Sequence, residues 1–256
     1  MSTQKPLVGI IMGSASDLPI MQAAADILKK FGGQAGGIMI YNAAKASSTL
    51  VNYNKNYLRI FPDTMSRVKI FYPSLDLSRV RIVKNANLPA NWIESPSKTT
   101  GMTFGWNVYS KKSDLEYDYD GLLLLIHELT HVQQMRNHGE AAFAARYGEE
   151  YLQYGYPDMP LEREAFEFVS NIPFDPAFYL HTHGDVNDAV KGSNMGAFAH
   201  WLDVGINEGR DSTPYFNSHK YLKKHDDLAS AFGSNNFKAG VLHWMQHGKR
   251  ENRKGN

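Results

Sequence analysis

Cysteine is absent from the chain of 256 residues, so disulfide bridges, thiolate metal sites and cysteine nucleophiles are excluded. Any metal ion must therefore be held by histidine, aspartate or glutamate. A large excess of charge is also lacking, since the formal net charge is +1, and we expect neither nucleic acid nor a membrane surface as the main partner. Long apolar runs are missing as well: Leu122 to Ile126 is far shorter than the about 20 residues of a membrane-spanning helix.

The N-terminal sequence, MSTQKPLVGIIMGSASD, has only a short apolar run and lacks the layout of a signal peptide. We therefore expect a soluble protein without a signal peptide, which is either cytoplasmic or secreted by a route that needs no signal. With 43% hydrophobic residues, the chain is long enough to bury a core in one or two domains. Its motifs divide it into three segments, residues 1–36, 37–172 and 173–256.

Residues 1–36 are predicted to form a strand, a loop and a helix. The apolar run LVGIIM is typical of a buried strand, and Asp17 in the following turn can cap a helix that begins at Pro19. The loop reads MGSASD and resembles the MGSxSD loop that opens the N5-carboxyaminoimidazole ribonucleotide mutases of purine synthesis. The resemblance implies an anion site at Ser14, Ser16 and Asp17, since backbone N–H groups at a helix start favour a phosphate.

The mutase family's next motif, a Ser-Ala-His-Arg-Thr-Pro run with the catalytic histidine, is absent from the chain. Its long glycine- and alanine-rich parallel-sheet region is absent too. A mutase lacking its proton-transfer histidine should not work, so we interpret residues 1–36 as a grafted strand–helix unit. A mutase-like function is accordingly the least favoured alternative.

The second segment is predicted to be an α+β domain, because its strands precede its helices instead of alternating with them. A helical stretch is expected around residues 41–61, followed by strands at Val68–Tyr72, Arg79–Val83 and Thr103–Ser110. Three helices should follow, one from near Asp120 to Gly139, one over Glu140–Tyr154 and one from Pro160 to before Pro173.

The stretch LLLLIHELTHVQQ in the first of these helices carries a candidate metal site. His127 and His131 lie one turn apart on one helix face, a spacing at which two imidazole nitrogens can reach one zinc ion. Glu128 lies beside them and can act as a general base toward a water molecule. The alternative is an exposed polar face, but the run from Leu122 to Ile126 indicates burial on nearly every side. Buried histidine and glutamate side chains need a compensating partner, which a metal ion would supply.

A zinc peptidase site needs a third protein ligand on a separate element, with one position left for water. The sequence MPLEREAFEF offers Glu162 and Glu164 at the start of a helix. The two side chains point about 200° apart around the helix, so only one of them can face the metal. The spacing alone leaves the choice between them open.

HELTHVQQ followed by Pro-Leu-Glu-Arg-Glu-Ala resembles the glutamate-zincin metallopeptidases, in particular bacterial domains of this kind. MTFGWNVY resembles the strand that precedes their metal-binding helix, and the similarity covers about residues 78–170. It implies a zincin-like fold, with a small sheet beside the two metal-binding helices. It also implies Zn²⁺ bound by His127, His131 and Glu162, the glutamate three residues before the alanine. The family often has Asp or Asn after that alanine to orient a ligand histidine, where this chain has Phe166.

A peptidase of this kind needs further groups around the metal. Tyr156, just upstream of the glutamate helix, is a candidate donor to the oxyanion, and the competing interpretation is a packed tyrosine. The strand with Thr103 and Trp106 can pair with an extended peptide at a sheet edge, which makes both residues candidates for substrate binding. The competing interpretation of Trp106 is an aromatic core residue.

The third segment contains an internal repeat. FDPAFYLHTHGDV, from Phe174, aligns with FNSHKYLKKHDDL, from Phe216, and HWLDVGINEGR aligns with HWMQHGKRENR. A period of about 40 residues with aromatic anchors predicts two stacked helical units. Both copies resemble a tandem repeat of large bacterial secreted and surface proteins, and the tail is a candidate surface for binding another protein.

Two functions compete for the whole chain besides the mutase alternative. The favoured one is a zinc-dependent metallopeptidase that hydrolyses a peptide or protein substrate with Glu128 as general base and Tyr156 as oxyanion donor. The other is a non-catalytic binding module that keeps the same fold for recognition, an interpretation that Phe166 and the repeat tail leave open.

Overall fold

The computed structural model describes residues 33–88 and 100–256. The predicted strand, loop and helix of the first segment, with the anion-site candidates Ser14, Ser16 and Asp17, lie outside the described residues. Helix α1 begins at Gly33 and therefore crosses the boundary predicted at residue 36.

The described residues form a mixed α+β structure that is mostly helical and has one small sheet. The helices before the repeat tail are α1 (Gly33–Val51), α2 (Pro62–Val68), α3 (Tyr119–His138), α4 (Glu140–Tyr154) and α5 (Pro160–Ser170). The strands are β1 (Arg81–Val83), β2 (Gly101–Phe104) and β3 (Asn107–Ser110), and a 3-10 turn at Leu77–Arg79 precedes β1. Within the described part of the chain, no helix is both long enough and apolar enough to cross a membrane.

The sheet has the order β1-β3-β2, so β3 lies in the centre. β1 pairs in parallel with β3, whereas β2 and β3 are antiparallel neighbours. The single strand predicted over Thr103–Ser110 is in fact part of this β2–β3 hairpin. Gly105 and Trp106 form its two-residue turn, and Gly105 has a φ of +61°, a conformation that glycine adopts without strain.

The strand predicted at Val68–Tyr72 was also wrong. Val68 ends helix α2, which Pro62 begins, and Phe71 and Tyr72 follow in hydrogen-bonded turns. All three apolar side chains are at most 2% exposed, so they belong to the core without forming a strand. A short apolar run is compatible with either structure, and its periodicity alone cannot distinguish them.

The helical stretch predicted around residues 41–61 is correct only as far as Val51. Beyond it, the Asn52 amide donates to the carbonyls of Ser48 and Asn87, both at 2.8 Å. An asparagine that satisfies nearby backbone groups in this way competes with continuation of the helix. Farther along, Leu58 makes a bridge with Ile82 of β1.

Helix α3 carries both candidate metal-binding histidines and packs against several other elements. The side chain of Asp118 accepts a hydrogen bond from Gly121 N and caps its start, and Gly139 ends it, as the sequence predicted to within two residues. Leu122, Leu125 and Ile126 are fully buried. The helix packs against β2, α4 and α5, so residues on different faces of α3 can meet side chains from three elements.

Helix α1 crosses α4 at unusually close range. A Cβ at Gly148 would overlap backbone atoms of Gly37, so this contact requires glycine on both helices. Tyr41, one turn farther along α1, packs edge-on against Phe104 and Phe143 with ring centroids 5.4 and 5.8 Å apart. The close crossing therefore brings α1 side chains to the β2 side of α3.

The tail consists of two similar helical units. The first has α6 (Pro176–Thr182), α7 (Gly184–Val190) and α8 (Asn194–His200), followed by a π-helical turn (Trp201–Gly205) and α9 (Ile206–Glu208). The second has α10 (Ser218–Lys224), α11 (Asp226–Phe232) and α12 (Phe237–His243), followed by a π-helical turn (Trp244–Gly248).

Equivalent side chains make equivalent contacts in the two units. Phe174 packs on Trp201 with ring centroids 5.1 Å apart, and Phe216 packs on Trp244 at 5.2 Å. The Tyr179 hydroxyl lies 2.9 Å from His200 Nδ1, and the corresponding pair in the second unit has the same distance. The tail is helical, with the same contacts in both units, and Tyr119 of α3 joins the first unit to the rest by packing on Phe198 at 5.3 Å.

Candidate metal centre

Three buried side chains from two helices converge on one point. His127 and His131 lie one turn apart on α3, and Glu162 lies in the first turn of α5; each is at most 7% exposed. The two histidine Nε2 atoms are 3.3 Å apart, and Glu162 Oε2 lies 3.3 Å from each of them. The three atoms form a nearly equilateral triangle, and these residues could hold a metal ion.

The dimensions of this triangle fit a zinc ion. Ligand atoms held tetrahedrally at about 2.0–2.1 Å from one zinc ion are separated by about 3.3–3.4 Å, roughly 1.63 times the bond length. In a buried site, two imidazole nitrogens and a carboxylate oxygen would repel one another unless a proton or a cation lies between them. The donor set and its spacing therefore both suit a divalent metal.

Gln134 fixes the tautomer of His131. The Gln134 amide nitrogen donates both its hydrogens, to Leu161 O at 3.0 Å and to Glu164 Oε2 at 3.1 Å. Its Oε1 atom must therefore act as acceptor for His131 Nδ1, which lies 2.9 Å away. The Nδ1 atom of a neutral His131 then carries the hydrogen, and its Nε2 lone pair faces the triangle, as metal binding requires.

The second glutamate of α5 points elsewhere. Glu164 accepts hydrogen bonds from Gln134 and from Arg146, the latter at 3.3 Å, and it takes no part in the triangle. Of the two glutamates at the start of α5, Glu162 is therefore the one that faces the two histidines in this conformation. Glu164 instead holds the glutamine that orients His131.

His127 lacks a comparable partner. Its Nδ1 atom is buried and has no hydrogen-bond partner among the described residues. Its ring instead packs against Phe166, with ring centroids 4.5 Å apart. Phe166, the residue after Ala165, therefore makes an apolar contact with the His127 ring and does not hydrogen-bond to its Nδ1 atom.

Strand β2 positions Glu128. The Thr103 hydroxyl donates to Glu128 Oε2 at 2.6 Å, and a Cβ at position 101 would overlap Glu128 Oε1, so Gly101 leaves the space that the carboxylate occupies. Glu128 is 3% exposed and does not belong to the metal-binding triangle. It is thus a buried carboxylate beside the three candidate ligands.

The ionisable side chains of the site shift one another's pKa values. Burial favours a neutral ring at His131, but Glu162 and Glu128 outweigh it and raise the pKa of His131 to about 9. Burial likewise opposes ionisation of Glu162, but His131 and His127 hold the pKa of Glu162 well below its ordinary value. The pKa of Glu128 is raised, chiefly by burial.

A small cavity of about 50 Å³ opens next to the three ligands. Strand β2 lines it on one side and α1 on another, and tyrosines of and after α4 complete its wall. The lining residues are Ile40, Tyr41, Ala44, Gly101, Met102, Thr103, Phe104, His127, Glu128, His131, Tyr147, Tyr151, Tyr156 and Glu162. The space is sufficient for a few water molecules but not for a length of peptide.

Of the remaining predicted site residues, two line this cavity and one does not. Tyr156 lines the cavity, and so does Thr103, although its hydroxyl is already bonded to Glu128. Trp106 does not belong to this cavity wall. It lies in the hairpin turn, where the Arg79 guanidinium covers its ring at 4.1 Å, so the structure does not bring it to the position expected of a substrate-binding residue.

Sequence reasoning missed the two residues that hydrogen-bond to the candidate ligands from outside the triangle. Gln134 lies three residues after His131, a spacing that places both on one helix face and could have revealed the pair. Tyr147 of α4 donates a hydrogen bond to Glu162 Oε1 at 3.2 Å. Nothing local in the sequence of α4 identifies this tyrosine, because the contact depends on how α4 packs beside α5.

Comparison with known proteins finds similarity in the N-terminal region alone. The chain is 69% identical over 32 residues to the N5-carboxyaminoimidazole ribonucleotide mutase of Pyrococcus horikoshii, covering 12% of this chain and 18% of that protein. It is 49% identical over 51 residues to the mutase of Thermotoga maritima, covering 20% and 29%. It is also 75% identical over 28 residues to the phosphoribosylaminoimidazole carboxylase of Saccharomyces cerevisiae, covering 11% and 5%. The chain thus spans less than a third of each of these relatives.

No family model matches the chain, and no solved structure matches it. The resemblance of the N-terminal segment to the mutases is confirmed by the matches above. The family assignment to the glutamate-zincin peptidases was wrong, since no model of that or any other family matches. The same finding overturns the assignment of the tail to a known repeat family. Any function of the metal centre must follow from the geometry of its own residues.

Proposed function

We propose that the protein is a zinc-dependent peptidase. The observation that carries the proposal is the triangle of His127, His131 and Glu162, whose 3.3 Å edges match the ligand spacing of a tetrahedral zinc ion. Three protein ligands leave one position for water, as in catalytic zinc sites. Glu128, buried beside the triangle, adds the proton carrier that a purely structural site would not need.

Zinc bound at this triangle would supply a Lewis acid that lowers the pKa of water and polarises a carbonyl group. Glu128 would take the proton from the attacking water as the new C–O bond forms, and would pass it to the amine nitrogen when the C–N bond of the intermediate then breaks. Thr103 donates to Glu128 Oε2, which leaves Oε1 to accept that proton. Tyr156, in the cavity wall, is the proposed donor to the negatively charged oxygen of the intermediate.

Strand β2 is the proposed docking edge for the substrate. Among the described residues, β2 pairs only with β3, so its other edge can accept an extended peptide by backbone hydrogen bonding. Met102 and Phe104 flank Thr103 in the cavity wall, and Tyr41 of α1 faces the same space.

A test of the proposal is hydrolysis of fluorescently labelled casein by tag-free protein. We expect cleavage that stops after treatment with EDTA and removal of the chelator, and that returns on addition of one equivalent of zinc. Magnesium, which prefers oxygen ligands in an octahedral arrangement, should not restore it. Cleavage that persists after complete removal of zinc would contradict the proposal.

The second candidate function is a non-catalytic binding module with the same metal site. Two observations favour it: His127 Nδ1 has no hydrogen-bond partner among the described residues, and the cavity beside the ligands is small. Zinc binding without casein hydrolysis under any of these conditions would support the module. A mutase-like function rests on the N-terminal match alone, and binding of another protein by the repeat tail stays a prediction.

A further inference from the structure

Both oxygens of the Glu162 carboxylate are engaged. Oε2 faces the two histidine Nε2 atoms at 3.3 Å, whereas Oε1 accepts a hydrogen bond from the Tyr147 hydroxyl at 3.2 Å. The terminal torsion of a glutamate side chain is broad, so one set of contacts on Oε2 does not fix the plane of the carboxylate. The hydrogen bond from Tyr147 to Oε1 adds a second contact, and the two contacts together fix the plane of the carboxylate.

The position of the Tyr147 hydroxyl is set by packing that does not involve Glu162. The ring lies 6.1 Å from the ring of Tyr41 in α1 and 5.8 Å from that of Phe143, one turn earlier in α4. The Tyr41 hydroxyl in turn accepts a hydrogen bond from Gly105 N at 3.1 Å, which ties α1 to the β2–β3 turn. The close α1–α4 crossing at Gly148, the next residue, holds the two helices together.

We propose that Tyr147 is a positioning residue of the metal centre, which holds Glu162 so that Oε2 points at the site shared by His127 and His131. This inference rests on the zinc site proposed above, and it means that α4 helps to position one of the ligands. The ring nitrogen of His131 that faces away from the triangle bonds to Gln134, and that of His127 has no partner among the described residues. Tyr147 holds the third and only negatively charged ligand, Glu162. Loss of an outer hydrogen bond of this kind typically weakens metal binding about 10–100-fold.

The test compares zinc affinity in the full chain and its Tyr147→Phe variant, by competition with a chromophoric chelator. The variant removes only the hydroxyl and keeps the ring that packs on Tyr41. We expect zinc to bind about 10–100-fold more weakly. Cobalt(II), used in place of zinc, should show a changed visible spectrum, because the carboxylate changes its orientation around the ion. Tyr154→Phe, at a 48%-exposed position of the same helix, is the matched control and should bind like the unaltered chain.

Three results would overturn the inference, and they can be told apart. Equal zinc affinity of Tyr147→Phe and the unaltered chain would show that the hydroxyl does not position Glu162, while the zinc site itself stands. An equal loss of affinity in Tyr147→Phe and Tyr154→Phe would indicate a general weakening of α4. An unaltered chain that binds no zinc would remove both this inference and the proposed function.

Discussion

Replacing Glu128 by glutamine is expected to abolish hydrolysis and leave zinc bound. Glutamine has nearly the same size and its Oε1 can still accept the hydrogen bond from Thr103, but the neutral amide cannot take a proton from water. Loss of a positioned general base typically lowers kcat about 10²–10⁴-fold. Because Glu128 does not belong to the metal-binding triangle, the zinc content measured by elemental analysis should be unchanged.

Glu149→Gln is the matched control, since Glu149 lies on α4 and does not line the cavity. It should cleave labelled casein at the rate of the unaltered chain. A Glu128→Gln protein that holds zinc and still cleaves at the normal rate would exclude Glu128 as the base. If the variant loses its zinc instead, Glu128 would act by keeping the ligands in place.

Replacing His131 by alanine is expected to eliminate tight zinc binding. The change removes one of three ligands together with the Nδ1–H group that donates to Gln134 Oε1, and it leaves Glu162 with one histidine partner. The loss of affinity should exceed the about 10–100-fold typical of losing an outer hydrogen bond. Chelator competition measures it, and circular dichroism checks that the helices of the variant remain folded.

His138→Ala provides the comparison on the same helix, because His138 is exposed in the last turn of α3. It should keep the affinity of the unaltered chain. Tight zinc binding by His131→Ala, or an equal loss in both variants, would contradict the assignment of His131 as a ligand.

The helices around the site could be predicted from the sequence because their ends carry strong local signals. Gly139 separates α3 from α4, and Pro160 begins α5. The hairpin was missed because Gly105-Trp106 interrupts a run rich in β-branched and aromatic residues without the usual Asn-Gly or Asp-Gly turn. The strand predicted at Val68–Tyr72 failed for a different reason, since core turns and short buried strands have the same apolar composition.

The sequence predicted the three residues that the structure brings together as a possible metal site, but not what surrounds them. The spacing of His127 and His131 is a property of any helix, and Glu162 was one of two nearby choices. The spacing alone could not select it, because that choice depends on the position of α5 relative to α3. The contact of Tyr147 with Glu162 depends on how a third helix packs, which no local pattern encodes.

The most direct test of the metal centre is the zinc-to-protein ratio of tag-free protein purified without chelator, measured by elemental analysis. The triangle formed by His127, His131 and Glu162 predicts about one zinc ion per chain. A ratio near zero that does not rise after incubation with zinc and dialysis would contradict the zinc site, and with it the proposed peptidase.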